Sequence, residues 1–150
     1  MPTKPYVVNV HELPRESRAG GVMEETAVVM DGALLKFSWG YPGGPSMSGH
    51  RPSDGMKPDV HPFDQAILMI SGTVEVTLGE DDTYTVGPGH IVYIPANVPH
   101  IGRVIGEETA FGVDIFAPVR EDYKYMAAHQ LSREEDAPQP SPAQEPEPAA

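Results

Sequence analysis

Three polar side chains of different chemistry lie close together in the segment DVHPFDQ, just ahead of an apolar run. They are Asp59, His61 and Gln65. Side chains two residues apart on an extended chain point to the same side, so Asp59 and His61 can converge on one object. A second imidazole, His100, follows the turn-like PANVP and opens another strand-like run. Together these residues offer two imidazole nitrogens, one carboxylate and one amide oxygen, a ligand set suited to Mn, Fe, Co, Ni or Zn.

The absence of cysteine restricts the metal chemistry further. The chain contains none, so thiolate ligands and disulfides are excluded, and any metal is held by nitrogen and oxygen. We therefore predict a divalent transition metal as the cofactor, with Asp59, His61, Gln65 and His100 as its ligands.

A second group of candidates lies in the segment FGVDIFAPVREDY. Asp114 and Phe116 share one face of a predicted strand, and that face is the interior if the residues between them pack outward. A buried carboxylate is costly unless it is paired or used, which makes Asp114 a candidate general base. Arg120 follows and could bind a substrate carboxylate in bidentate fashion. The alternative for Arg120 is a surface ion pair with Glu121 or Asp122.

Aromatic residues alternate along the segment ALLKFSWGY. Phe37, Trp39 and Tyr41 are expected on one face of a strand. Two interpretations are open: the rings form part of the core, or they build an aromatic wall beside the metal that contacts the substrate and excludes water.

The elements that must position these groups are strands. Short runs rich in Val, Ile, Tyr and Phe recur between Gly, Pro and Asp, which is typical of all-β proteins. We predict strands over residues 6–10, 26–30, 33–41, 65–71, 73–78, 83–86, 90–94, 101–104 and 110–116, and one helix over residues 121–131. So many short strands in one domain must close into a barrel or a sandwich to protect their edges.

Two segments depart from this rhythm. Residues 40–58 are rich in Gly and Pro, which predicts either a rim or lid over a pocket or an ordinary surface loop. Residues 133–150 are acidic and Pro-rich without large apolar side chains, which predicts a disordered tail. We therefore expect one domain over residues 1–132, with its core over about residues 33–116.

The composition also excludes classes of partner. The formal net charge is -12, which argues against nucleic acid and against an anionic membrane surface. The N-terminal residues lack an apolar signal core, and no run approaches the roughly 18 apolar residues of a membrane span. We expect a soluble, cytoplasmic protein with a small-molecule substrate.

The spacing of the candidate ligands resembles that of the cupins. Gln65 lies four residues after His61 and seven before Gly72, as in the first cupin motif. The stretch GPGHIVYIPANVPH, which ends at His100, resembles the second motif. The resemblance implies a double-stranded β-helix, or jelly-roll barrel, with a short C-terminal helix, a metal site, and a homodimer formed through the outer strands.

The chain departs from the cupin pattern at Asp59, which stands where the family usually has its first histidine. Three alternatives follow. Asp59 ligates the metal directly, or His50 takes that place, or the altered site binds metal weakly or not at all.

The segment DIFAPVREDY is similar to the closing stretch of small cupins of pectin and alginate breakdown, which convert unsaturated uronates to keto forms. That resemblance implies that Asp114, Phe116 and Arg120 act on the substrate and that Gln65 is a metal ligand. It favours a metal-dependent isomerase or lyase that moves protons on a small carbonyl, hydroxy-acid or sugar-acid-like substrate, with Gln65 or Arg120 orienting the acid end.

Two other functions remain open. One is a non-haem Fe(II) dioxygenase that uses Asp59, His61 and His100 as its facial triad. The other is a non-catalytic cupin that binds a small ligand.

Overall fold

The computed structural model describes residues 2, 4–44 and 57–135 of the 150-residue chain. His50, most of the predicted loop and the tail beyond residue 135 therefore lie outside the described residues. The predictions made for them stay predictions.

Strands dominate the described part of the chain. In chain order they are β1 (Glu16–Arg18), β2 (Met23–Val29), β3 (Leu34–Gly40), β4 (Gln65–Ser71), β5 (Thr73–Leu78), β6 (Asp82–Val86), β7 (Ile91–Ile94), β8 (His100–Ile105) and β9 (Ala110–Phe116). Short 3-10 helices occupy Val10–Glu12 and Ala19–Gly21. After β9 a longer 3-10 helix, Glu121–Ala127, leads directly into α1 (Ala128–Glu135).

The strands form two antiparallel sheets. The larger sheet has the order β1-β2-β3-β9-β4-β7, and the smaller has the order β6-β5-β8. Their inner faces share one apolar cluster, in which Met69 of the larger sheet packs with Val76 and Val86 of the smaller. This is the predicted all-β jelly-roll architecture, and the bounds predicted for β4, β5 and β9 are confirmed.

Tight turns follow from glycine at particular positions. Gly72 joins β4 to β5 with a φ of +77°, and a Cβ there would lie 2.5 Å from the Cα of Ala110. Only glycine combines this backbone conformation with such a close approach. At this turn the chain passes from β4 of the larger sheet, which carries Gln65, to β5 of the smaller sheet, which carries Val76.

Several local predictions differ from the structure. The strand predicted over residues 26–30 begins three residues earlier, because β2 spans Met23–Val29. The predicted strand over residues 6–10 is wrong, because residues 5–9 have no strand partner and Val10–Glu12 form a 3-10 helix. The short strand β1 was not predicted, since its residues Glu16–Arg18 are all polar. The predicted helix over residues 121–131 starts as a 3-10 helix, and its α-helical part continues to Glu135.

The C-terminal helices cover one end of the larger sheet. Tyr123, Met126 and Ala127 are buried against Leu34 of β3 and Phe116 of β9. Burial of an aromatic or aliphatic side chain stabilises a fold by about 1.5–3 kcal/mol, so this contact holds the segment after β9 in place. No helix in the described ranges is both long enough and apolar enough to cross a membrane.

Candidate metal centre

The candidate ligands meet where the chain before β4 passes the start of β8. Asp59 and His100 form an isolated antiparallel bridge, in which the Asp59 amide donates to the His100 carbonyl at 2.8 Å and the His100 amide donates back at 3.0 Å. Side chains of directly opposed residues lie on the same face. His61 is two residues further along and joins them. One ligand atom from each of the three residues lies within 4.8 Å of the others.

Backbone carbonyls orient both imidazoles. His61 Nδ1 lies 2.8 Å from the Phe63 carbonyl oxygen, and His100 Nδ1 lies 2.9 Å from that of Val98. Because a carbonyl accepts, each Nδ1 is the protonated nitrogen, and each Nε2 turns a lone pair toward the site. Burial lowers the pKa of His100 below its ordinary value. The arrangement matches that of metal-binding histidines, whose second nitrogen donates to a carbonyl or carboxylate.

Gln65 adds an oxygen to the same cluster. Its Oε1 lies 2.9 Å from His61 Nε2, and its Nε2 donates to Asp114 Oδ1 at 3.3 Å. The His61 nitrogen and the Gln65 oxygen are both acceptors when the imidazole is neutral, so their contact is repulsive on its own. It becomes favourable when a proton or a metal cation binds there. The donor set of two imidazoles, one carboxylate and one amide oxygen thus fits a transition metal.

This cluster forms one edge of a cavity of about 170 Å³ inside the jelly roll. The cavity extends between the two sheets, and both contribute side chains to its lining. Asp59, Gln65, His100, Asp114 and Arg120 all line it. Phe116 also lines it, as expected from its sharing a face of β9 with Asp114.

Asp114 belongs to a buried chain of charges. Lys36 Nζ lies 3.2 Å from Asp114 Oδ2 and 2.8 Å from Glu25 Oε1, and Arg18 pairs with the other oxygen of Glu25. Burial alone would lower the pKa of Lys36, but the charges of Glu25 and Asp114 outweigh it and raise that pKa. Burial works to raise the pKa of Glu25, and the charges of Lys36 and Arg18 outweigh it in turn and lower that pKa.

The sequence prediction missed this chain because it assigned Phe37, Trp39 and Tyr41 to the inward face of β3, which would turn Lys36 outward. A signal was present in β3, where Lys36 interrupts an otherwise apolar strand. In the antiparallel pairing of β3 with β9, Lys36 lies opposite Asp114. A lysine and an aspartate at matched positions of two central strands indicate a buried pair.

Arg120 lies beside the candidate ligands and is only 4% exposed. Its Nε donates to Asp122 at 2.9 Å, and its NH1 lies 3.7 Å from Asp59 Oδ2. The guanidinium also stacks over the Tyr123 ring, 3.9 Å from its centroid. Arg120 thus pairs with Asp122, as the alternative interpretation expected, but from a buried position and not at the surface. It also lines the cavity, and its binding of a substrate carboxylate stays a prediction.

The position of Trp39 differs from the prediction of an aromatic wall. Within the described chain, the cavity is lined by Lys36, Ser38 and Gly40 of β3, and Trp39 points to the opposite face of the sheet. There its ring stacks on Phe111, with centroids 4.9 Å apart. The cause is the alternation of the strand, because the face that carries Lys36 opposite Asp114 must face inward. Tyr41, just past β3, does line the cavity.

Comparison with known proteins agrees with this architecture. The cupin domain family matches residues 49–116. No curated protein matches the chain by sequence.

Several solved structures share the fold. KdgF from Halomonas sp. superposes with a TM-score of 0.65 at 22% identity, covering 80% of this chain and 98% of that one. An RmlC-like cupin from Shewanella frigidimarina has a TM-score of 0.62 at 15% identity, with 80% and 96% covered. The cupin domain of Schizosaccharomyces pombe Cnp3 has a TM-score of 0.56 at 12% identity, with 78% and 77% covered. At these identities the likeness concerns the fold.

Proposed function

We propose that this chain, a member of the cupin superfamily, is a metal-dependent enzyme that transfers protons on a small oxygenated substrate, as an isomerase or a lyase. The observation that carries the proposal is the convergence of Asp59, His61 and His100, with the Asp114 carboxylate joined to that cluster through Gln65. Two members of the ligand set, Asp59 and His100, and the candidate base Asp114 thus line the same cavity.

The metal would be held by Asp59, His61 and His100, with the Gln65 oxygen as a fourth ligand. When bound, it supplies Lewis-acid chemistry that polarises a substrate carbonyl or hydroxyl oxygen. Gln65 also orients the base, because its amide nitrogen donates to Asp114.

Asp114 is the group placed to move the proton. Gln65 contacts one carboxylate oxygen and Lys36 the other, and each oxygen keeps a further lone pair. The carboxylate can therefore accept a proton from substrate carbon or oxygen and return it elsewhere on the same molecule. Return to another carbon gives isomerisation, and loss of a leaving group after abstraction gives a lyase reaction.

Arg120 supplies the positive charge for the acid end of the substrate. Its guanidinium is fixed by Tyr123 and Asp122 and lines the same cavity as Asp114. A fixed guanidinium orients a carboxylate more precisely than a flexible ammonium does. Phe116, from the same face of β9 as Asp114, would pack against the substrate.

The test is proton exchange with solvent. Metal-loaded protein is incubated in deuterium oxide with a panel of small keto, hydroxy and unsaturated acids, and deuterium incorporation is followed by proton NMR. Asp114→Asn should reduce exchange by about 100-fold or more while metal content is unchanged. Asp82→Asn, which changes an exposed acid on β6, is the matched control. Full exchange by Asp114→Asn would remove Asp114 from the mechanism.

The same ligands also favour a second candidate, a non-haem iron oxygenase. Two histidines and one carboxylate, as Asp59, His61 and His100 provide, make up the facial triad of that class. Dioxygen uptake by the Fe(II)-loaded protein in the presence of substrate would support it. Full turnover without oxygen, with Zn or Mn in place of iron, would eliminate it.

A further inference from the structure

The cavity has two walls of opposite character. The first wall, formed by β2, β3 and β9, carries the charged residues Glu25, Lys36 and Asp114. The second wall is formed by β4, β5 and β8, and its apolar side chains are Ile67, Met69, Val74, Val76, Ile101 and Val104. Arg103 of β8 also borders the cavity, and its guanidinium pairs with Glu75.

The apolar wall offers no hydrogen bond to a ligand. Val76 lies opposite Gly102 in the pairing of β5 with β8, and Val74 lies opposite Val104. The backbone of β5 pairs with β6 and β8 on its two sides, and the backbone of β4 pairs with β7 and β9. A ligand hydroxyl placed against this wall would lose its water without a replacement partner, which weakens binding.

The charged wall also offers few free hydrogen-bonding groups to a ligand. Lys36 is shared between Glu25 and Asp114, and Arg18 pairs with Glu25 as well, so Lys36 and Glu25 are engaged with charged partners and Asp114 is the acceptor left to the substrate. Two polar side-chain atoms on this wall are buried without a hydrogen-bond partner in the described chain, the Ser38 hydroxyl and Glu25 Oε2. Glu25 Oε2 is in ionic contact with Arg18. Tyr41 also lines the cavity, but its hydroxyl donates to Glu24. Away from the candidate ligands, Asp114 and Arg120, the described part of the cavity is therefore poor in groups that could bind several hydroxyls at once.

The size of the cavity fits a short hydrocarbon chain. Its volume of about 170 Å³ is comparable with engineered apolar cavities of about 150 Å³ that bind benzene. Gly102 contributes to this space, because it presents no side chain at the position opposite Val76. A Cβ at Gly102 would make ordinary contact with Val74, at 3.5 Å.

We propose that the substrate is a short-chain α-hydroxy or α-keto acid whose hydrocarbon part lies against the apolar wall, and that it is not a polyhydroxylated sugar acid. The inference rests on the proposed function for the position of the acid head, at the metal ligands and Arg120. What the inference adds is the chemical nature of the part of the substrate that extends away from the acid head.

Binding of two matched acids tests the inference. α-Hydroxyisocaproate and threonate share an α-hydroxycarboxylate head and have the same number of non-hydrogen atoms, but the rest of the first is hydrocarbon and the rest of the second is hydroxylated. Their affinities for the Zn²⁺-loaded protein are measured by isothermal titration calorimetry. We expect α-hydroxyisocaproate to bind at least about tenfold more tightly.

A pair of variants of similar side-chain shape tests whether the apolar wall causes the preference for α-hydroxyisocaproate over threonate. Val76→Thr places a hydroxyl on the apolar wall and should reduce the ratio of the two affinities by about threefold or more. Val86→Thr is the control, because Val86 belongs to the same buried cluster but does not line the cavity. Gly102→Ala provides a second variant should Val76→Thr not fold, and it should weaken binding of the branched acid by about tenfold.

The outcomes separate the two proposals. Equal or tighter binding of threonate, with Asp114-dependent proton exchange retained on other acids, would overturn this inference alone. Binding of neither acid would overturn it together with the proposed head-group site. A ratio that changes equally in Val76→Thr and Val86→Thr would also contradict the inference, since the apolar wall would then not determine the preference.

Discussion

Replacing Glu25 by glutamine should destabilise the protein strongly, although Glu25 lies outside the candidate metal site. Its side chain is 1% exposed and contacts both Lys36 and Arg18. Removing one member of a buried ion pair costs about 3–5 kcal/mol, because the partner charge is left buried without compensation. Lys36 keeps Asp114 in the variant, so we expect the lower end of that range.

An exposed pair in the same fold gives the control. Glu75 and Arg103 lie 3.0 Å apart, but their side chains are 37% and 47% exposed. Exposed pairs contribute about 0–1 kcal/mol, so Glu75→Gln should change the stability far less than Glu25→Gln does. The assay is urea denaturation followed by the fluorescence of Trp39, the single tryptophan. A loss below about 1 kcal/mol for Glu25→Gln would refute the claim that these charges depend on one another.

The pH dependence gives an independent check on Glu25. Its pKa is lowered in the folded state, because the charges of Lys36 and Arg18 outweigh the effect of burial. A carboxyl with a lowered pKa contributes stability above its unfolded pKa, about 4.3, and loses that contribution as the pH falls through the folded value. The stability difference between wild type and Glu25→Gln should therefore be constant near neutral pH and narrow in acid. A difference that does not narrow would contradict the assignment.

Two further predictions concern packing. Gly40→Ala should lower the free energy of unfolding by about 1–3 kcal/mol in urea denaturation, because a Cβ would lie 2.6 Å from Val104 Cγ2. An unchanged denaturation midpoint would contradict this, since it would show that the Val104 side chain can move away. Gln130→Ala should cost about 1–3 kcal/mol in the same assay, because the Gln130 amide makes hydrogen bonds of 2.9 and 2.8 Å with the backbone of Val29. Ser132→Ala, at an exposed position of α1, is the control for Gln130→Ala. Equal losses of stability in the two variants would contradict the role given to the Gln130 hydrogen bonds.

The strands with a clear β-type composition between turn residues were predictable from sequence. β4 and β5 are rich in apolar residues and end at a glycine, β9 ends just before Ala117-Pro118, and the bounds predicted for all three matched. The segment at residues 6–10 has a similar composition but no strand partner, and strand formation depends on pairing that a local pattern does not contain. The opposite holds for β1, which was not predicted. Its residues are polar, but they form a strand because they pair with β2.

The candidate metal ligands were also predictable, because their spacing carries the information. Asp59 and His61 are related by the period of an extended chain, and His100 follows a rigid turn. The inward face of β3 was not predictable by hydrophobicity, since Lys36 faces the cavity and Trp39 faces away. That choice depends on the pairing of Lys36 with Asp114 across strands distant in sequence. The homodimer, the cytoplasmic location and the disordered tail beyond residue 135 stay predictions, whereas residues 133–135, which were predicted as part of that tail, are helical.

Metal content is the most direct test of the central claim, that Asp59, His61 and His100 bind a metal ion. Elemental analysis of protein purified without a histidine tag should give close to one transition-metal ion per chain. Asp59→Ala and His61→Ala should lose it, and His90→Ala, which changes an exposed histidine, should retain it. His50→Ala separates the alternative first ligand from Asp59. A folded wild type that binds no metal, or full occupancy in both Asp59→Ala and His61→Ala, would contradict the account.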